Sequence, residues 1–163
     1  MIKMNILFVC TGNIFRSMSA EYCLRDYLLK NKIYHNKVAS AGTFAIIEPM
    51  KPKVRNTLLA LGIDPTKHKQ TRLIAKHFVD YDLVVAMHKS HQEFIRVHFE
   101  KEVPLFDEIC YGVKASVPDI NDELIPNYRN YPDAINRYME YAVKFIYNSM
   151  PKFVENYKKF VKN

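Results

Sequence analysis

Met4–Ser19 reads MNILFVCTGNIFRSMS. Ile6, Leu7, Phe8 and Val9 form a continuous apolar run, as expected of a strand covered on both faces in a parallel sheet. Cys10 follows at the carboxyl end of that strand, where open α/β sheets place their ligands. Gly12 is expected to let the backbone turn sharply and approach an anion closely. Ser17 is placed as the N-cap of a helix, with Glu21 just inside it.

Such a stretch is an anion trap. Successive backbone N–H groups through Thr11, Gly12, Asn13, Ile14 and Phe15, together with the positive end of a helix beginning near Arg16 and Ser17, favour a phosphate-like group at the centre. The Arg16 guanidinium adds a planar fork that holds two phosphate oxygens at once. The same field favours a thiolate at Cys10, the nucleophilic form of the side chain. A thiolate and a guanidinium at one oxyanion site point to phosphoryl transfer through a cysteinyl-phosphate. Cys-x5-Arg spacing alone is a weak signal. The strand before it, the Gly and Asn inside it and the helix after it distinguish Cys10 from an inert cysteine buried at a strand end.

Cys10-Thr11-Gly12-Asn13-Ile14-Phe15-Arg16-Ser17 resembles the active-site loop of the low-molecular-weight protein tyrosine phosphatases. The likeness continues, in family order, through Ser40-Ala41-Gly42-Thr43, His68 to Arg72, Tyr81 to Met87, and Val117-Pro118-Asp119. It implies a single α/β domain with a four-stranded parallel sheet, helices on both faces and a phosphate-binding loop after the first strand. It also implies that Asn13, Ser17, Ser40 and His68 support that loop; no cofactor is expected.

Length and composition fit this reading. A chain of 163 residues suits one domain with a sizeable core, and an apolar fraction of 48% is ordinary for a globular protein. No stretch approaches the roughly 18 uninterrupted apolar residues of a membrane span. Three cysteines do not suggest a disulfide framework, and the N-terminus lacks a signal-peptide pattern, so a cytoplasmic monomer without stable membrane insertion is expected. The net charge of +7 helps attract an anionic substrate. The basic residues are scattered, with no recognition helix or stacking platform, so nucleic acid is not expected as a partner.

Strands are expected at Lys37–Ala41, Leu83–Met87 and Val103–Phe106, alternating with helices over Ser17–Lys30, Pro52–Leu61, a short segment from Thr71, His88–Phe99 and a long helix from Pro132. That long helix has one apolar face through Ile135, Tyr138, Met139, Ala142, Val143 and Ile146. Residues 1–150 are read as the phosphatase-like domain and 151–163 as a basic amphipathic extension. Phe153, Tyr157, Phe160 and Val161 should pack that extension on the domain, with Pro151 beginning or kinking its helix. His88 and His91 lie three apart without an evident third ligand, so no metal site is expected.

A cysteinyl-phosphate mechanism needs a proton donor for the leaving phenolate. Asp119 is the candidate, at the position where the resemblance places the general acid, with Asp122 and Glu123 as nearby rivals. The family's usual Asp-Pro-Tyr is here Asp119-Ile120-Asn121, which removes the tyrosine beside the acid and keeps the carboxylate. The implied activity is hydrolysis of phosphotyrosine in a protein substrate. Protein arginine phosphatases of similar sequence typically carry threonine where Ile14 stands, and isoleucine suits a phenyl ring better. Arsenate reductases of the same fold need two further cysteines in a mobile middle segment, and Leu73–Phe99 has none. A phosphate-binding module without turnover is the non-enzymatic alternative. Many relatives also carry a second cysteine where Phe15 stands.

Overall fold

The computed structural model describes residues 3–34, 36–121 and 123–161. Three strands, β1 (Asn5–Cys10), β2 (Lys37–Gly42) and β3 (Leu83–Ala86), form a parallel sheet in the order β2-β1-β3. The register sets Cys10 opposite Gly42 on one side and Val9 opposite Ala86 on the other. Central β1 therefore delivers Cys10 to the carboxyl edge of the sheet.

Both faces are covered, as the unbroken apolar run in β1 requires. Alternate residues divide between two cores. Ile6, Phe8 and Cys10 enter the larger one, which also takes residues of α1 (Arg16–Lys30), α2 (Pro52–Ala60), α5 (Phe106–Tyr111) and α6 (Pro132–Asn156). Leu7 and Val9 enter the smaller one with Ile95 of α4 (Lys89–Phe99), flanked by Phe78 of α3 (His77–Asp80).

The sheet has three strands among the described residues, not the four that the resemblance implies. Val103–Phe106 contributes a single bridge, Ala86 to Leu105, with the Ala86 N–H donating to the Pro104 carbonyl at 2.9 Å. Pro104 has no N–H to continue a ladder, and α5 begins one residue after Leu105. The short helix expected from Thr71 is displaced to α3. Thr71–Leu73 instead runs extended along the end of β2, where the Gly42 N–H donates to the Thr71 carbonyl and the Leu73 N–H to the Gly42 carbonyl, both at 2.8 Å.

Helix α6 passes through Pro151 without ending there and continues into a 3-10 turn at Tyr157–Phe160. Phe153 is fully buried, its ring 5.2 Å from Phe8 and stacked on Phe106 at 5.8 Å. Tyr157 stacks on Phe153 in turn. These contacts hold the helix on the domain despite the N–H donor that Pro151 lacks. Among the described residues no helix is long and apolar enough to cross a membrane.

Candidate active site

The loop between β1 and α1 winds around Asn13, which has φ +58°. Gly12 is not in the left-handed region; Asn13, among the non-glycine residues that tolerate it best, makes the turn instead. Four outer partners hold Asn13 there. Its Nδ2 donates to Ser40 Oγ at 2.7 Å and to Ser17 Oγ at 3.0 Å, and its Oδ1 accepts the Thr71 N–H at 2.8 Å. The Asn13 carbonyl takes a hydrogen bond from His68 Nε2 at 2.7 Å. These bonds offset the cost of a left-handed residue in the loop.

Behind this ring lies Glu21, almost wholly enclosed, which accepts from Ser40 Oγ and pairs with Arg25 at 2.7 Å, with His68 Nδ1 at 3.8 Å. Burial raises the Glu21 pKa above its ordinary value, against the lowering effects of Ser40, Arg25 and His68. Since Asn13 donates to both serines, Ser40 is left to donate to Glu21 and Ser17 to donate onward. Ser17 Oγ sits 2.9 Å from Cys10 Sγ, against 3.4 Å from the Ala41 carbonyl. Its short contact is therefore with the sulfur. The N-cap position of α1 belongs to Phe15, which makes no side-chain cap bond, so Ser17 is not the cap expected from sequence.

Close packing from beneath completes the support. A Cβ on Gly42 would lie 2.4 Å from the Thr11 carbonyl oxygen and 3.1 Å from the Asn13 nitrogen, so only glycine fits under the loop. Gln70, not singled out from sequence, donates to the Gly12 carbonyl at 2.7 Å and accepts the Glu48 N–H at 2.9 Å. It ties the loop to the segment that follows β2.

Arg16 is 3% exposed. Its guanidinium donates to the Val117 carbonyl at 3.0 Å and to Thr11 Oγ1 at 3.4 Å, and reaches Asp119 Oδ2 at 3.2 Å. Thr11 Oγ1 is also 2.9 Å from Nε2 of buried His91. Desolvation, then the Arg16 charge and His88, push the His91 pKa down to about 2, so this imidazole is neutral. His88 itself caps α4 by accepting the Ser90 N–H. Among the described residues no group of three or more His, Cys, Asp or Glu side chains gathers as a metal site would require.

Cys10, Arg16 and Asp119 line one cavity of about 830 Å³, together with Thr11, Gly12, Ile14 and Phe15. Phe44, Ile46, Ile120 and Tyr128 give it apolar walls, and Glu48, Lys51 and Asn56 add polar ones. The structure thus brings the expected nucleophile, guanidinium and acid to one place. Ser17, Ser40 and His68 surround the loop from outside. Of the rival acids, Glu123 does not line the cavity, and Asp122 lies outside the described residues. Gln70 was not read from sequence, and His91 was weighed there only as a metal ligand, because no local spacing links either to the loop. Only the fold brings them near.

Known proteins resemble this chain in sequence and in fold. The low molecular weight protein-tyrosine-phosphatase Ptp of Acinetobacter johnsonii is 35% identical over 92 residues, 56% of this chain and 61% of that protein. The chain therefore matches about three fifths of that relative's length. Among solved structures, the YwlE arginine phosphatase from Geobacillus stearothermophilus superposes with a TM-score of 0.76 at 22% identity, covering 96% of this chain and 94% of that one. The Erwinia amylovora tyrosine phosphatase amsI gives 0.73 at 22% identity, covering 93% and 91%. These two likenesses show a shared fold. Residues 5–151, a span that contains every side chain described around the cavity, match the sequence model of the low molecular weight phosphotyrosine protein phosphatases, and the chain belongs to that family.

Proposed function

We propose that the protein hydrolyses phosphotyrosine in protein substrates through a cysteinyl-phosphate on Cys10. The observation that carries this reading is the convergence of Cys10, Arg16 and Asp119 on one cavity, with Asp119 at 3.2 Å from the guanidinium. The Cys10 thiolate attacks phosphorus; the S–P bond forms as the P–O bond to the phenol breaks. Protonated Asp119 gives its proton to the departing oxygen. Arg16 holds two equatorial phosphoryl oxygens throughout. In the second step Asp119, now a carboxylate, takes a proton from water, the water oxygen attacks phosphorus, and the S–P bond breaks to release inorganic phosphate. Ser17 donates a hydrogen bond to the returning thiolate, a role supported by the 2.9 Å contact.

Tyrosine is favoured over arginine because Ile14 lines the cavity with an apolar side chain. An arsenate reductase relay is disfavoured, since Cys23 and Cys110 are buried free thiols whose pKa values are raised mainly by desolvation. A cytoplasmic monomer fits the free cysteines and the composition. Residues 1–150 as the domain and 151–163 as an extension docked on it fit the burial of Phe153 and Tyr157.

Two variants test the reading on a phosphotyrosine peptide and on p-nitrophenyl phosphate, whose leaving group departs without a proton. Cys10→Ser should bind both and turn over neither. Asp119→Asn should lower kcat/KM for the peptide far more than for the nitrophenyl ester, because kcat/KM reports only the steps up to the phosphoenzyme. Turnover by Cys10→Ser, or equal losses with Asp119→Asn, would reject the respective assignment.

A further inference from the structure

Among the described residues, three hydrogen bonds hold the backbone of Val117 and Pro118, just before Asp119. The Val117 N–H donates to the Met87 carbonyl at the end of β3 at 2.9 Å, and Arg16 donates to the Val117 carbonyl. The third is on the next residue. Pro118 has no N–H, so its carbonyl is its only backbone hydrogen-bonding group, and the Tyr138 hydroxyl donates to it at 2.5 Å. Tyr138 rises from the first turns of α6, and its ring meets Phe15 of the phosphate loop edge-on, 6.3 Å between centroids at 85°. One side chain thus touches the phosphate loop with its ring and the acid loop with its hydroxyl.

We propose that Tyr138 is a positioning residue for Asp119, fixing the height of the acid loop over the phosphate loop; the proposal rests on the reading of Asp119 as the general acid. In the unliganded site Arg16 also helps, through its contact with Asp119. A bound phosphoryl group competes for that guanidinium. Tyr138 does not line the cavity, so its bond to Pro118 survives substrate binding and holds the carboxyl where the leaving oxygen arrives. Burial, the largest influence on the phenol, raises its pKa, so it remains a donor through neutral pH. A phenylalanine would fill the same space against Phe15; the hydroxyl is what reaches the loop.

Tyr138→Phe keeps the ring contact and removes only that bond. Its effect should appear as leaving-group dependence, which a merely structural role would not produce. We expect kcat/KM on a phosphotyrosine peptide to fall about five- to tenfold and kcat/KM on p-nitrophenyl phosphate, which reports the same first step without need of a proton, to change less than about twofold. In an Asp119→Asn background the same substitution should change peptide turnover less than about twofold, because the group it positions is gone. Equal losses on both substrates, no loss on the peptide, or a full loss persisting in the Asp119→Asn background would each overturn the proposal. If Asp119→Asn alone leaves peptide turnover unchanged, the acid assignment fails first and the positioning role falls with it.

Discussion

Arg16 and Asp119 form an ion pair at 3.2 Å in which the guanidinium is almost wholly enclosed and the carboxylate is half open to solvent. The same guanidinium donates to the Val117 carbonyl, so one side chain joins the phosphate loop to the acid loop at two points. A planar fork can hold a backbone carbonyl with one nitrogen and present the others to an oxyanion. A lysine ammonium is a point charge and cannot do both.

Arg16→Lys should therefore leave a folded protein whose kcat on p-nitrophenyl phosphate falls by about a hundred- to a thousandfold, the scale seen when a transition-state donor is removed. Steady-state kinetics beside a thermal melt check it. A loss below tenfold would mean that charge alone suffices.

Ile14 is nearly buried and contributes an apolar surface to the cavity. Ile14→Thr exchanges that surface for a hydroxyl able to bond a phosphoguanidine. The ratio of phosphoarginine to phosphotyrosine turnover should rise at least about tenfold, a change of ~1.4 kcal/mol in discrimination. An unchanged ratio would count against Ile14 as the selecting residue.

Much of this site was legible locally, and the reason is physical. A buried parallel strand must be apolar throughout, its carboxyl end must carry the loop, and an arginine six residues on lies at the start of the next helix. Cys10 and Arg16 were readable in that way; Asp119 came from the resemblance and from the need for a proton donor. What was not legible depends on approach between distant segments. Ser17 looks like a cap because caps are read from neighbours in sequence, yet Asn13 and Cys10 claim its hydroxyl. Gly12 looks like the flexible point, but Asn13 takes the positive φ because its amide finds Ser17, Ser40 and Thr71. Tyr138 reads as one more apolar position on the long helix until the fold sets its hydroxyl on Pro118. The fourth strand failed on Pro104, a signal present in the sequence and outweighed there by its apolar neighbours.

Phe153 packs on Phe8 and Phe106 at the centre of the larger core, beyond the proline in α6. Phe153→Ala should lower stability by about 3–5 kcal/mol, the usual cost of removing a buried aromatic ring. Denaturant unfolding measures it. A loss below about 1 kcal/mol would show that residues beyond Pro151 contribute little to the fold.

His91 contributes a pH dependence to stability, in the same sense as His77 and His88, whose pKa values burial also lowers. The unfolded chain takes up a proton on His91 near 6.5, whereas burial, Arg16 and His88 hold the folded side chain unprotonated down to about 2. The folded-state value is depressed, so stability is complete above the unfolded pKa and declines as pH falls below about 6.5. By pH 5 the loss from this group reaches about 2 kcal/mol. His91→Gln, which keeps a neutral partner for Thr11, should remove that component. The comparison is the change in unfolding free energy between pH 7.5 and 5 for the two proteins, and identical changes would exclude His91 as the source.

The proposed cysteinyl-phosphate is open to direct observation. Rapid acid quench of the wild-type enzyme during turnover of p-nitrophenyl phosphate, followed by peptide mass spectrometry, should find phosphate on Cys10 and on no other residue, approaching one per chain when breakdown limits the rate. Turnover without any phosphorylated Cys10, under conditions where the nitrophenol burst shows an accumulating intermediate, would contradict the account.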